Sequence, residues 1–132
     1  MELLAIATVL ALLQVFWFSF QVGKQRQKHN VPAPLMSGHD DFMRAYRVHM
    51  NTVEQLVIFL PSLWLFGYYI DARIGAALGL LFIIGRFVYQ HGYMKDPKSR
   101  GTGFGISAFA TIALALGGLV GAVLRLFANG IS

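Results

Sequence analysis

The stretch Leu3–Val22, LLAIATVLALLQVFWFSFQV, decides the fold. It carries no charge, and a helix needs about 20 apolar residues to cross the hydrocarbon core of a bilayer. The polar run Lys24-Gln25-Arg26-Gln27-Lys28-His29 closes it. No basic segment precedes it and no small-residue cleavage site follows, so the run is expected to stay in the protein rather than leave as a signal peptide. Further along, three more helical runs are expected, at about 42–69, 74–93 and 104–127. The linker from Asn30 to Asp41 holds Pro32, Pro34 and Gly38, which favour turns.

Composition agrees with this reading. The 132 residues are 56% hydrophobic and 13% charged, with a mean hydropathy of +0.58, above the roughly 45–50% apolar share of a soluble domain. The expectation is an all-α, integral membrane four-helix bundle with up-down antiparallel topology. It forms a single domain over residues 1–132, with spans at about 3–22, 42–69, 74–93 and 104–127. There is no cysteine, so disulfides, thiolate metal sites and a protein thiol nucleophile are excluded, and any sulfur chemistry comes from a substrate.

The net charge of +5 does not point to nucleic acid, because the basic residues form no separate arm and no readout motif. They cluster by loop instead. Lys24, Arg26, Lys28, Arg44, Arg47, Lys95, Lys98 and Arg100 fall at one end of the expected bundle, Arg73 and Arg125 at the other, and Arg86 within the third span. The positive-inside rule then puts the basic loops in the cytoplasm and both termini on the opposite side. Gly75 with Gly79, and Gly117 with Gly121, have the spacing that lets membrane helices approach closely. Pro61 is expected to bend the second helix, and Trp64, Tyr68 and Tyr69 fit an interfacial aromatic belt.

A polar stripe interrupts this apolar pattern. Arg44, Arg47, Asn51 and Glu54 follow one another at steps of three, four and three along one face of the second helix. Arg86, Tyr89, Gln90 and Tyr93 do the same on the third. Ionisable groups inside a span are costly and face the bundle interior or a cavity, so they mark function. A purely structural ion pair is the bland alternative. Glu54 and Arg86 should lie at similar depth in antiparallel helices and are expected to interact, within or between subunits. Several arginines, a carboxylate, an asparagine and two tyrosines suit a small ligand with two carboxylates and an ammonium group. A site for anionic lipid headgroups needs only the arginines.

The segment Phe42-Met43-Arg44-Ala45-Tyr46-Arg47-Val48-His49-Met50-Asn51-Thr52-Val53-Glu54, followed by Phe59-Leu60-Pro61, Leu63-Trp64 and Gly67, resembles the signature of the MAPEG proteins, the membrane-associated proteins in eicosanoid and glutathione metabolism. Gly85-Arg86, Tyr89, Gly92-Tyr93, Asp96-Pro97 and Ser99-Arg100-Gly101 continue the likeness, which covers nearly the whole chain and is strongest to the microsomal glutathione transferase and leukotriene C synthase branch. The resemblance implies that Arg26, Arg47, His49, Asn51, Glu54, Tyr89 and Tyr93 bind glutathione as co-substrate and that Arg100 stabilises its thiolate, with Arg86 a structural polar residue. It implies a homotrimer with sites between neighbouring subunits, a lipophilic electrophile as second substrate, membrane lipid as the surroundings, and no metal. Where several members carry a tyrosine after the motif glutamate, this chain has Gln55. The activity implied is that of a membrane glutathione transferase, with peroxidase activity toward lipid hydroperoxides as an extension.

The same residues admit other readings. On sequence alone Arg100 is a solvated loop arginine beside Lys95 and Lys98, and Tyr89 and Tyr93 are belt residues. His39-Asp40-Asp41 reads as a helix start rather than a metal site, since carboxylates favour helix N-termini. Gly101, Gly103 and Gly105 lack the strand and lysine of a phosphate loop. A non-catalytic lipid-binding scaffold of the same family is the alternative function. A small multidrug exporter has the right size, but Leu3–Val22 contains no acid.

Overall fold

The computed structural model describes residues 1–130, so the last two residues of the expected domain lie outside it. Four α-helices follow one another: α1 (Glu2–His29), α2 (Asp40–Tyr69), α3 (Ala72–Lys95) and α4 (Gly101–Asn129), with a short 3-10 turn, Pro97–Arg100, between the last two. No strand occurs among the described residues. The chain is thus the expected all-α bundle. α1, α3 and α4 are individually long and apolar enough to cross a membrane. α2 is as long, 30 residues, but its polar stripe leaves it less apolar than the other three.

Every helix overruns the span expected from hydropathy. α1 continues through Lys24–His29 because lysine, glutamine and arginine are good helix formers and cations favour a helix C-terminus. The apolar run measures the membrane, not the helix. α1 stops at Asn30, which adopts the left-handed conformation (φ 55°) suited to a C-cap. α2 starts at His39, whose Nδ1 accepts the Asp41 amide at 3.1 Å, so the helix start read from the sequence is a capped one. Asp71 caps α3 by accepting from the Arg73 and Ile74 amides. α2 runs unbroken through Pro61.

Contacts fix the topology. Arg44 of α2 reaches the end of α3 at Met94 and Lys95, while Phe59 stacks on Phe82 at 3.9 Å, so the two helices are antiparallel. Trp64 of α2 donates to Thr8 of α1 at 2.9 Å, again antiparallel. All three basic segments therefore gather at one end. The core holds Leu4, Ala7, Ala11, Phe59, Leu63, Phe82 and Leu114, while Phe16, Phe20, Val57, Ile84 and Phe109 are exposed, as expected where lipid is the solvent. Gln14 is the one glutamine of the first run that is buried, and it donates to the Ile83 carbonyl at 2.8 Å.

The glycines read from spacing do serve packing. A Cβ on Gly79 would meet Ala7 and Leu63 at 3.3 Å, and one on Gly117 would strike the Phe66 ring. The tightest approach was not among them. Gly103 of α4 lies against the backbone of Tyr89, where a Cβ would sit 2.1 Å from the amide nitrogen, and Gly85 lies against the Ser107 amide at 2.7 Å. This seam sets Tyr89 in place. Gly103→Ala is expected to cost about 1–3 kcal/mol by overpacking. Gly105→Ala, which meets open space, should be neutral or stabilising by up to about 1 kcal/mol. Thermal unfolding of both variants in detergent checks the pair, and equal stabilities would show that the seam is looser than described.

Candidate functional site

The site grows from the basic end of the bundle. Arg44 and Arg47, one turn apart on α2, line a cleft of about 310 Å³ together with Asp40, Met43, Tyr93 and Pro97. Arg44 donates to the Met94 and Lys95 carbonyls at 3.1 and 3.2 Å, which satisfies the exposed C-terminus of α3 and ties α2 to it. Arg47 is exposed and has no intrachain hydrogen bond among the described residues. Its five donors are free for a carboxylate, which a guanidinium holds with a planar fork.

From the cleft wall inward runs a column of two packed tyrosine rings with a cation at each end. Arg100 lies 5.8 Å above the Tyr93 ring, Tyr93 packs 5.6 Å from Tyr89, and the Arg86 guanidinium lies 4.1 Å over Tyr89. Arg100 is on the exposed 3-10 turn, where its Nη1 donates to the Pro97 carbonyl at 2.6 Å. That bond, with the Asp96 side chain accepting the Lys98 amide, ties the Arg100 side chain to its turn. Arg86 is fully buried. It donates to Asn51 Oδ1 at 2.7 Å, to Thr52 Oγ1 at 3.0 and 3.1 Å and to Ser107 Oγ at 3.3 Å.

The interaction expected between Glu54 and Arg86 is absent within the chain. Arg86 is instead solvated by neutral oxygens, and Glu54 is exposed on the outer side of α2. The reason is angular: Thr52, two residues before Glu54, turns to the interior and takes the contact. Sequence spacing passes over Thr52 and Ser107 because neither is charged. It also treats Asp40 as a helix start alone, whereas Asp40 is an acidic group on the cleft wall.

Of the residues implied by resemblance, Arg47 and Tyr93 line the cleft, and Arg100, Tyr89, Arg86 and Asn51 connect to it through the Tyr93 ring. Three do not join them in one chain. Arg26 donates to the Leu35 carbonyl at 2.6 Å and to that of Val31 at 3.4 Å, and lies 4.6 Å over the Phe42 ring. It clamps the loop between α1 and α2. His49 is half-buried on α2, and Glu54 lies seven residues beyond Arg47, roughly 10 Å along the helix axis.

The sequence matches the MAPEG family model over residues 4–120. The chain belongs to the MAPEG family. Among its relatives, microsomal glutathione S-transferase 2 of Homo sapiens is 40% identical over 119 residues, 87% of this chain and 81% of that protein. Leukotriene C4 synthase of Cavia porcellus is 37% identical over 98 residues, 74% of this chain and 65% of that protein. An uncharacterized Synechocystis protein is 39% identical over 116 residues, 88% of this chain and 85% of that protein. As a MAPEG protein the chain is an integral membrane bundle, and its cleft opens at the basic end of that bundle.

Proposed function

We propose that this protein is a membrane-bound glutathione transferase that holds glutathione in the cleft at the basic end and activates it as the thiolate for attack on a lipophilic electrophile. The observation that carries the reading is the cleft itself, where the free Arg47 fork shares the wall with Tyr93, whose ring Arg100 overlies, in a chain related to glutathione-conjugating enzymes. Arg47 binds one glutathione carboxylate. Arg100 stands beside the sulfur and favours its ionised form, since the thiolate is the nucleophile and a nearby cation lowers the thiol pKa. The second substrate arrives from the bilayer, and a lipid hydroperoxide in place of an electrophile would give peroxidase turnover.

The working unit is a homotrimer. An acid at membrane depth is expensive when exposed to lipid, and Glu54 is exposed on the single chain. A neighbouring copy that covers it completes the site, with Glu54 taking the glutathione ammonium and Arg26, His49 and Asn51 the remaining polar groups. α2 is the fourth span, and the basic loops with the active site face the cytoplasm, both termini the far side.

Calorimetric titration of the purified protein with glutathione tests the reading. Equimolar binding is expected, weakened by roughly 10–100-fold in Arg47→Ala, the equivalent of losing charge-assisted hydrogen bonds worth about 1.5–3 kcal/mol. Absence of glutathione binding, with lipid binding intact, would replace this reading with a lipid-binding scaffold.

A further inference from the structure

The loop that Arg26 clamps ends in a second cluster, whose residues His39 and Asp41 flank the cleft residue Asp40 without lining the cleft themselves. His29 closes α1 and His39 and Asp41 open α2. The two imidazoles stack face to face, with centroids 3.6 Å apart and planes within 8°. His29 Nε2 lies 3.7 Å from Asp41 Oδ2, beyond hydrogen-bonding reach, and is a buried nitrogen with no hydrogen-bond partner. One ligand atom from each of the three residues falls within 4.8 Å of the other two. We infer that His29, His39 and Asp41 form a binding site for a borderline divalent transition metal such as zinc, which staples the end of α1 to the start of α2.

Three features carry this. The donor set, two imidazole nitrogens and one carboxylate oxygen, suits zinc and its neighbours and not magnesium or calcium, which prefer oxygen alone. The three ligand atoms are near enough for side-chain rotation to bring them onto one ion. Bonds of about 2.0–2.1 Å at tetrahedral angles put ligand atoms roughly 3.3 Å apart; the stacked rings aim their in-plane lone pairs in parallel, so binding turns the exposed His39 ring out of the stack to converge with His29 and Asp41. His29 Nε2 is one of four buried side-chain polar atoms without a hydrogen-bond partner among the described residues and the only imidazole nitrogen of the four; a metal is a partner that the carboxylate opposite can share. His39 Nδ1 accepts the Asp41 amide; if the metal takes that nitrogen, the amide lies at an exposed helix start where water can serve it. With three protein ligands, a fourth position stays open to water. The bound ion would steady the same loop whose Val31 and Leu35 carbonyls hold Arg26. The inference does not depend on what the cleft binds.

The experiment uses full-length protein without a polyhistidine tag, stripped with chelator in detergent and titrated with zinc sulfate by calorimetry. Equimolar binding is expected, together with a rise in melting temperature that added chelator reverses. Magnesium should give neither. His29→Gln and His39→Asn are expected to weaken zinc binding by at least roughly tenfold, since even the supporting shell of a metal site is worth about 10–100-fold in affinity. His39→Asn keeps a capping side chain, so the fold is preserved. Cobalt as a spectroscopic probe should give the visible absorption of a four-coordinate nitrogen and oxygen site in the wild type and lose it in both variants. No equimolar zinc binding by the wild type overturns the site. Undiminished binding in the His29→Gln, His39→Asn double variant also overturns it, because the metal would then sit on other residues such as His49 or His91.

Discussion

Arg100→Ala is expected to lower kcat/KM for glutathione conjugation by about 100-fold at pH 6 and below, and by roughly 25-fold at neutral pH, while KM for glutathione changes little. A free thiol titrates near 8.5, so holding it as thiolate at neutral pH requires a depression of about two units, or roughly 2.7 kcal/mol. That is a rate factor of about 100 at a pH below both pKa values, and roughly 25 at neutral pH, where part of the ordinary thiol's deficit is already made up. On the proposed reading Arg100 supplies this cation, from a side chain bonded to the Pro97 carbonyl at 2.6 Å and lying 5.8 Å above the Tyr93 ring. The sign of the pH effect follows. Without the guanidinium the thiol returns to its ordinary pKa, so the variant regains rate as pH rises, and the acidic limb of its profile moves up by about two units. Arg100→Lys keeps a charge but loses the planar fork and should fall between. The ultraviolet absorbance of bound thiolate should vanish in Arg100→Ala with binding retained. A variant with unchanged rate and unchanged absorbance would make Arg100 the solvated loop residue that its neighbours Lys95 and Lys98 suggest.

Much of the bundle was legible because its solvent is lipid. Leu3–Val22 could be read as a span without knowing its partners, since a bilayer demands an uninterrupted apolar length and nothing subtler. The glycine pairs at 75 and 79, and at 117 and 121, were legible for the same reason. Gly103 was not, because its role depends on which backbone faces it, and Tyr89 comes from a different helix. The site was legible as a stripe on each helix but not as a set of contacts. Helical spacing put Arg47, Asn51 and Glu54 on one face, yet a face spans a wide arc. Asn51 turns toward Arg86, Arg47 opens to the cleft and Glu54 looks outward, so three residues of one stripe meet three environments. The charge of Arg86 announced a partner and suggested the nearest acid. Its actual partners are the oxygens of Asn51, Thr52 and Ser107, which carry no charge for a sequence reading to seize on. His29 and His39 were separable on sequence by nine intervening residues, and only the turn at Asn30 brings their rings together.

Arg86 carries the second large effect. It is fully buried, and none of its hydrogen bonds goes to a carboxylate. Arg86→Ala is expected to destabilise the protein by about 3–5 kcal/mol, through the cavity left between α2, α3 and α4 and the loss of its bonds. Arg86→Met fills that volume without a charge, and its cost should be about 2 kcal/mol or less. The unfilled cavity is the difference, and Thr52 and Ser107 keep the loss of bonds small in both variants: each hydroxyl already donates to its own helix, Thr52 to Val48 at 2.8 Å and Ser107 to Gly103 at 3.1 Å. Only the Asn51 oxygen is then orphaned, a loss of about 1–3 kcal/mol offset by relief from a buried cation. Equilibrium unfolding in detergent separates the two variants, and an alanine cost under about 1 kcal/mol would show that the network is not structural. The methionine variant also separates stability from function. Where it folds as well as wild type but binds glutathione roughly tenfold more weakly, the cation is retained to aim Asn51 and Tyr89 at the ligand, at no gain to the fold.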